Sequence, residues 1–301
     1  MTVDARAITA TSPPLVQPRR RSWAWLGLLP FFLFTFLFLI LPSLSLLAGA
    51  FQTLGGDFTL GNILDLSTPP IPQAYRLSIT ISAITAIGGG VFGLLISYAV
   101  TLGNLPRIFR PITMTVSGVA SNFAGVPLAF AFIATLGRTG FVTVFLRDML
   151  GMNIYDDYGF NLYSFVGLSL TYMYFQFPLM ILIMAPALDG LRREWFEAAD
   201  NLGATRNQFW RMVGLPILMP SILGGMILLF GNSFGAYATA FALTGGRIGL
   251  VTIQIGAQIR GDVLRNPGLG YAMALGMVVV MAICIALYTW LQRRSERWLR
   301  K

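Results

Sequence analysis

Few residues in this 301-residue chain could do chemistry. There is no histidine, which excludes imidazole acid–base catalysis and imidazole metal ligation. The single cysteine, Cys284, cannot form an internal disulfide and lies in an apolar run. What stands out is a set of uncharged polar side chains embedded in long apolar stretches: Asn122, Tyr172, Gln176, Asn232, Ser233, Tyr237 and Thr239. In a membrane such groups either bond a neighbouring helix or face a water-filled path for a solute. Asn232 is the leading path residue, because a central amide is costly unless it meets a partner or a cavity. No Asp or Glu lies in these stretches. A cation passing here would meet the faces of Tyr172, Tyr174 or Tyr237, and amide or hydroxyl oxygens.

The elements that hold these residues follow from the charge map. Charged residues are 11% of the chain and hydrophobic ones 55%, with a mean hydropathy of +0.70; soluble domains carry about 25% charged residues. Six charge-free stretches are long, the shortest of them 27 residues, and a spanning helix needs about 20 apolar residues. Lipid forbids unpaired backbone, so each stretch should be helical. The chain is expected to be an all-α integral membrane protein with six transmembrane helices near 24–48, 77–102, 112–136, 161–187, 216–242 and 269–291. The first, although preceded by Arg19-Arg20-Arg21 and followed by Ala48-Gly49-Ala50, is too long for a signal peptide and reads as a retained span.

The net charge of +9 is explained by topology. If both termini share one side, that side holds 15 of the 21 Lys and Arg residues, which places the termini in the cytoplasm. Trp23, Trp25, Trp290 and Trp298 flank the first and last spans as interfacial anchors. Nucleic-acid binding becomes an unnecessary hypothesis. Residues 1–22, with Pro13, Pro14 and Pro18, read as a mobile tail, 23–292 as the six-span domain and 293–301 as a basic tail. The outward loops 49–76, 137–160 and 243–268 are rich in glycine, proline or acids, and the last carries the turn signals Gly245-Gly246 and Asn266-Pro267-Gly268.

The inward segment 188–215 has more structure. Trp195, Ala198, Ala199 and Leu202 form an apolar helical stripe. Gly203 stands where a helix C′ residue of positive φ belongs. Thr205 and Gln208 fit a capping box, and Pro216 can open the next span because a first helical turn needs no N–H there. The segment is thus expected to be helix, glycine turn, helix. It either closes two spans or enters a cleft on another protein.

Glu197-Ala198-Ala199, three residues, Gly203, eleven residues, then Leu215-Pro216 with Pro220 beyond resembles the EAA signature of bacterial binding-protein-dependent ABC importer permeases. The six spans and the position of the segment between spans four and five resemble the type I (MetI-like) permease fold. The resemblance implies that Glu197, Ala198, Ala199, Gly203, Leu215 and Pro216 form the coupling helices that sit in a cytoplasmic ATP-binding subunit. No Walker A pattern occurs in this chain, so it is expected to bind no cofactor and to be no enzyme, with ATP and magnesium held by a partner ATPase dimer. A second permease chain, more in keeping with a related than an identical one, and an extracytoplasmic binding protein are the other partners implied. The setting would be a bacterial inner membrane.

Phe58-Thr59-Leu60 and Asn232-Ser233-Phe234-Gly235-Ala236-Tyr237 look most like the spermidine/putrescine permeases, with iron(III) and 2-aminoethylphosphonate permeases as close alternatives. A membrane enzyme would need titratable groups gathered at one depth. A coupled secondary transporter or channel would be expected to carry intramembrane carboxylates. The sequence offers neither.

Overall fold

The computed structural model describes residues 27–53, 55–103, 105–260 and 266–296. The expected tail over 1–22 and the last residues of the basic tail, 297–301, lie outside the described residues. The described residues fall into two compact units, one ending at Ser45 and the other beginning at Leu46. Helix α1 is Leu29–Ala50, and at Phe36–Ile40 it widens into a π-turn in which the Leu41 N–H reaches the Phe36 carbonyl. The next residue is Pro42. A proline in a regular helix has no N–H to give and crowds the carbonyl four residues back; the wider turn relieves both.

In the larger unit the longer helices are α2 Ile71–Leu102, α3 Phe109–Asn122, α4 Gly125–Leu136, α5 Phe141–Leu150, α6 Phe165–Asp189, α7 Arg193–Asn201, α8 Arg206–Phe234, α9 Tyr237–Thr244, α10 Val251–Arg260 and α11 Pro267–Glu296; a single helical turn, Gly61–Leu64, precedes α2. Among the described residues no strand forms beyond one isolated bridge, Gln52 to Phe58. Six stretches are long and apolar enough to cross a membrane: Leu29–Ala50, Ile71–Leu102, Gly125–Leu150, Phe165–Asp189, Arg206–Phe234 and Pro267–Arg293.

The count matches the expectation, but four spans differ from it, the second by beginning at Ile71 rather than at 77. The third was expected as one helix over 112–136; that segment is divided between α3 and α4, parted at Phe123-Ala124, and the membrane-long stretch is instead Gly125–Leu150, running from α4 into α5 in the loop expected over 137–160. Pro127 accounts for the parting. A continuous helix would press its ring on the Phe123 carbonyl, whereas the break puts it in the first turn of α4. Gly125 takes φ +75° at the joint, a value that suits glycine alone. The fifth was expected over 216–242; α8 instead stops at Phe234 and α9 begins at Tyr237. It also begins earlier than expected. Pro216 does not open it: the helix starts at Arg206 and passes the proline through a second π-turn, Trp210–Gly214, with the Leu215 N–H on the Trp210 carbonyl. The sixth runs on to Glu296, so the first residues of the expected basic tail are helical.

The core is three helices deep. α2 lies along α6 and α8. Its approach to α6 depends on Gly89 and Gly93: a Cβ at Gly89 would stand 2.5 Å from Gln176 Cβ, and one at Gly93 2.5 Å from Met180 Cβ and the Phe177 carbonyl. Small residues four apart let helix backbones meet where no hydrophobic drive exists between them. α10 lies in the expected loop 243–268, held where the Val251 N–H donates to Ser78 Oγ at 2.9 Å, with Val251 and Ile253 buried. The loop before α6 is anchored by Tyr155, whose hydroxyl donates to the Leu136 carbonyl at 2.8 Å; burial pushes its phenol pKa up.

Candidate translocation site and coupling corner

The two helix breaks meet. The Gly125 N–H, at the α3–α4 break, donates to Thr239 Oγ1 in the first turn of α9 at 2.8 Å. The carbonyl of Ala236, in the α8–α9 break, accepts the Tyr172 hydroxyl at 2.7 Å. Tyr172 is fully buried in α6. One phenol and one threonine hydroxyl thus satisfy backbone groups that the broken helices leave over, and lipid would not.

Two cavities open beside the breaks. One, of about 700 Å³, is lined by Ser121 and Asn122 at the end of α3, by Asn232 and the α8 face down to Gly224, and by Met281, Ile285 and Tyr288 of α11. The other, of about 480 Å³, is lined by Ala124, Gly125, Phe175, Gly235, Ala236, Tyr237, Ala238 and Thr239. Gly231 and Asn232 line both. Neither lining includes an Asp or Glu. Tyr237 stacks on Phe241, centroids 5.4 Å apart, and the Arg260 guanidinium stands 5.6 Å from its ring centre.

The polar residues picked out by sequence therefore divide. Asn122, Asn232 and Tyr237 are brought to the cavities. Tyr172, Gln176 and Ser233 are not: Gln176 is buried and donates to the Leu229 carbonyl at 2.8 Å, and Ser233 Oγ lies 3.0 Å from Thr85 Oγ1 of α2. These three join helices, which is the other use of a polar group in a bundle. Thr239 does both, bonding across the breaks and lining the second cavity. Tyr174 lies in a different groove, among Phe92, Phe132 and Phe177. Sequence reading missed Ser121, Gly125 and Tyr288. Ser121-Asn122-Phe123-Ala124-Gly125 and Asn232-Ser233-Phe234-Gly235-Ala236 share their five residue types, a signal that could have paired the two breaks.

At the corner between α7 and α8, Gly203 has φ +71°. Its N–H bonds the Asp200 carbonyl at 2.9 Å and the Ala204 N–H bonds the Ala199 carbonyl at 3.0 Å, the paired closure of a Schellman turn. Thr205 Oγ1 accepts the Gln208 N–H at 3.3 Å, and Gln208 Oε1 accepts the Thr205 N–H at 2.7 Å, a capping box. Trp195, Ala198, Ala199, Leu202, Met212 and Val213 line one apolar groove. Leu202 is 87% exposed and Met212 75%, so this apolar surface is uncovered in the isolated chain. Glu197 lies off the groove and accepts from Arg193 Nε at 3.0 Å. Leu215-Pro216 sits inside α8, just past the π-turn.

Six apolar spans, mainly apolar cavities that carry Asn122, Asn232 and Tyr237 beside broken helices, and an exposed helical corner fit a membrane permease. The chain belongs to the binding-protein-dependent transport system inner membrane component family, whose model matches residues 89–301. Among individual relatives, the probable sulfate transport system permease protein cysT of Nephroselmis olivacea is 26% identical over 247 residues, 80% of this chain and 80% of the relative. The spermidine/putrescine transport system permease protein PotB of Haemophilus influenzae is 28% identical over 262 residues, 83% of this chain and 87% of the relative. Among solved structures, a bacterial ABC transporter involved in the import of the acidic polysaccharide alginate matches with TM-score 0.70 at 17% identity, covering 90% of this chain and 95% of that one. The inward-facing MetNI methionine ABC transporter matches with TM-score 0.52 at 16% identity, covering 76% and 99%. At those identities the structures establish the fold. The MetI-like fold and the ABC importer permease family are thus as the sequence implied, and the chain is an inner-membrane component rather than the catalytic one.

Proposed function

We propose that this chain forms half of the solute path of an ATP-driven importer and that Glu197, Ala198, Ala199 and Gly203 form its docking corner on a cytoplasmic ATP-binding subunit. The observation that carries this is the double role of α8: its first turn belongs to the exposed apolar corner and its last turn carries Asn232 on both cavities. ATP and magnesium reside on the ATPase dimer, a related second permease chain supplies the other half of the path, and an extracytoplasmic binding protein delivers the solute. Both termini face the cytoplasm, as the Lys/Arg asymmetry supports. Affinity purification of the chain should bring down an ATPase. In a Cys284→Ser background, a cysteine at Asn207 should react with an impermeant reagent from the cytoplasmic side alone; labelling from outside intact cells overturns the orientation.

The proposed solute is a polyamine. The resemblance in 232–237 and the likeness to PotB support it, and Tyr237, Tyr288 and the amide oxygens of Asn122 and Asn232 could receive an ammonium group. A second reading, a small oxyanion, is favoured by the carboxylate-free lining and by Arg260 beside Tyr237. Uptake of labelled spermidine and sulfate by cells with and without the chain separates the two: loss of one solute's uptake on deletion selects that reading, and loss of neither rejects both.

A further inference from the structure

The corner touches more than the helices that run into it. Arg206, in the first turn of α8, donates from Nη2 to the hydroxyl of Tyr98 near the far end of α2 at 2.7 Å. The Tyr98 ring meets Trp210 edge-on, centroids 5.3 Å apart. Trp210 lies in the π-turn and packs against Phe209 and Phe196 of the corner. α2 has no chain continuity with the corner, yet this joint holds it there. About 20 Å up α2, thirteen residues at 1.5 Å each, Thr85 meets Ser233, the neighbour of Asn232. We propose that Tyr98 and Arg206 form a positioning tie through which movement of the corner is passed along α2 to the cavity, in parallel with α8. This rests on the functional reading above, because it presumes an ATPase on the corner.

The geometry favours a mechanical over a merely stabilising role. A hydroxyl–guanidinium bond is exposed here, and exposed polar contacts add little to stability. The bond nonetheless joins two helices that meet again at the Thr85–Ser233 contact beside Asn232, so its loss should free one end of α2 without unfolding the bundle.

The test is Tyr98→Phe, which keeps the ring against Trp210 and removes the hydroxyl, together with Arg206→Gln and the double variant. Each is purified with its co-purifying ATPase, reconstituted, and assayed for ATP hydrolysis with and without the binding protein, loaded with spermidine or sulfate according to which supports wild-type uptake. Each single variant should lose stimulation about fivefold, the low end of coupling between sites, and the double variant should be no worse than either; Tyr98→Phe, which lies outside the docking corner, should keep basal hydrolysis and membrane abundance at wild-type levels. Wild-type stimulation in Tyr98→Phe, or losses that multiply in the double variant, overturns the tie. Should Tyr98→Phe fail to accumulate, Arg206→Gln tests the same bond from its other end. A wild-type chain that brings down no ATPase overturns the functional reading itself, which is a different failure.

Discussion

The corner at Gly203 and the paired breaks at Gly125 and Gly235 both stop a helix among the described residues, and they differ in how far away their closing groups lie. The corner is closed by its own neighbours: Asp200, Ala199, Thr205 and Gln208 satisfy every cap within a few residues. The breaks have local bonds too, from the Phe123 and Gly235 N–H groups to the turn before each, but they also need distant groups, Tyr172 to Ala236 across 64 residues and Thr239 to Gly125 across 114. A self-closed turn can present its surface to another molecule without losing its shape. A turn closed by partners elsewhere in the bundle is tied to their positions, and so suits a place that changes when helices shift.

The largest effect should come from removing the buried closure. Tyr172→Ala empties a fully buried aromatic site and orphans the Ala236 carbonyl, and large-to-small changes of this kind cost about 3–5 kcal/mol. The purified variant should melt far below wild type and accumulate poorly; a wild-type melting curve would show that the breaks are self-supporting after all.

Gly203→Asp should abolish transport with nearly normal abundance. Nothing lies within 4 Å of a Cβ at Gly203, so the local cost is the positive φ, about 1–2 kcal/mol, and the added charge falls beside Asp200 on the proposed docking face. Membrane content and solute-stimulated ATP hydrolysis are the paired measurements. Retained stimulation would reduce the corner to a connector.

Asn232→Leu should leave the melting temperature near wild type, because the side chain lines cavities rather than bonding the core, and should lower uptake roughly tenfold, the worth of about 1.4 kcal/mol at a binding site. A large drop in melting temperature with proportionate loss of uptake would make Asn232 structural, like Ser233.

The smallest expected change is Arg110→Gln, which removes an exposed pair with Asp189; surface pairs are worth about 0–1 kcal/mol. The melting curve should barely move, and a shift of many degrees would show the corner's surroundings to be less self-sufficient than its capping suggests.

The same contrast governs what could be read from the residues. The corner was legible because its signals are local: the stripe from Trp195 to Leu202, glycine at C′, threonine and glutamine three apart. The count of spans was legible because six stretches of at least 27 residues carry no charge. The breaks were not, since apolar composition runs unbroken through 112–136 and 216–242, and the Tyr172 and Thr239 bonds that permit them span 64 and 114 residues. The local clues were Pro127 and the five residue types shared by 121–125 and 232–236. α10 was hidden by the turn residues on either side of it, Gly245-Gly246 and Asn266-Pro267, and the division of the polar residues into lining and bonding roles required knowing which face of each helix is buried.

The π-turn before Leu215-Pro216 makes α8 a single arm. Without it the proline would leave a hinge between corner and span; with it, the helix is continuous from Arg206 to Phe234. Arg206 and Asn232 are 26 residues apart on that arm, roughly 39 Å at 1.5 Å per residue. A lever of that length turns small angles into useful distances: pivoted at its Arg206 end, a swing of about 6° carries Asn232 ~4 Å by the same helix geometry, more than the width of a water molecule.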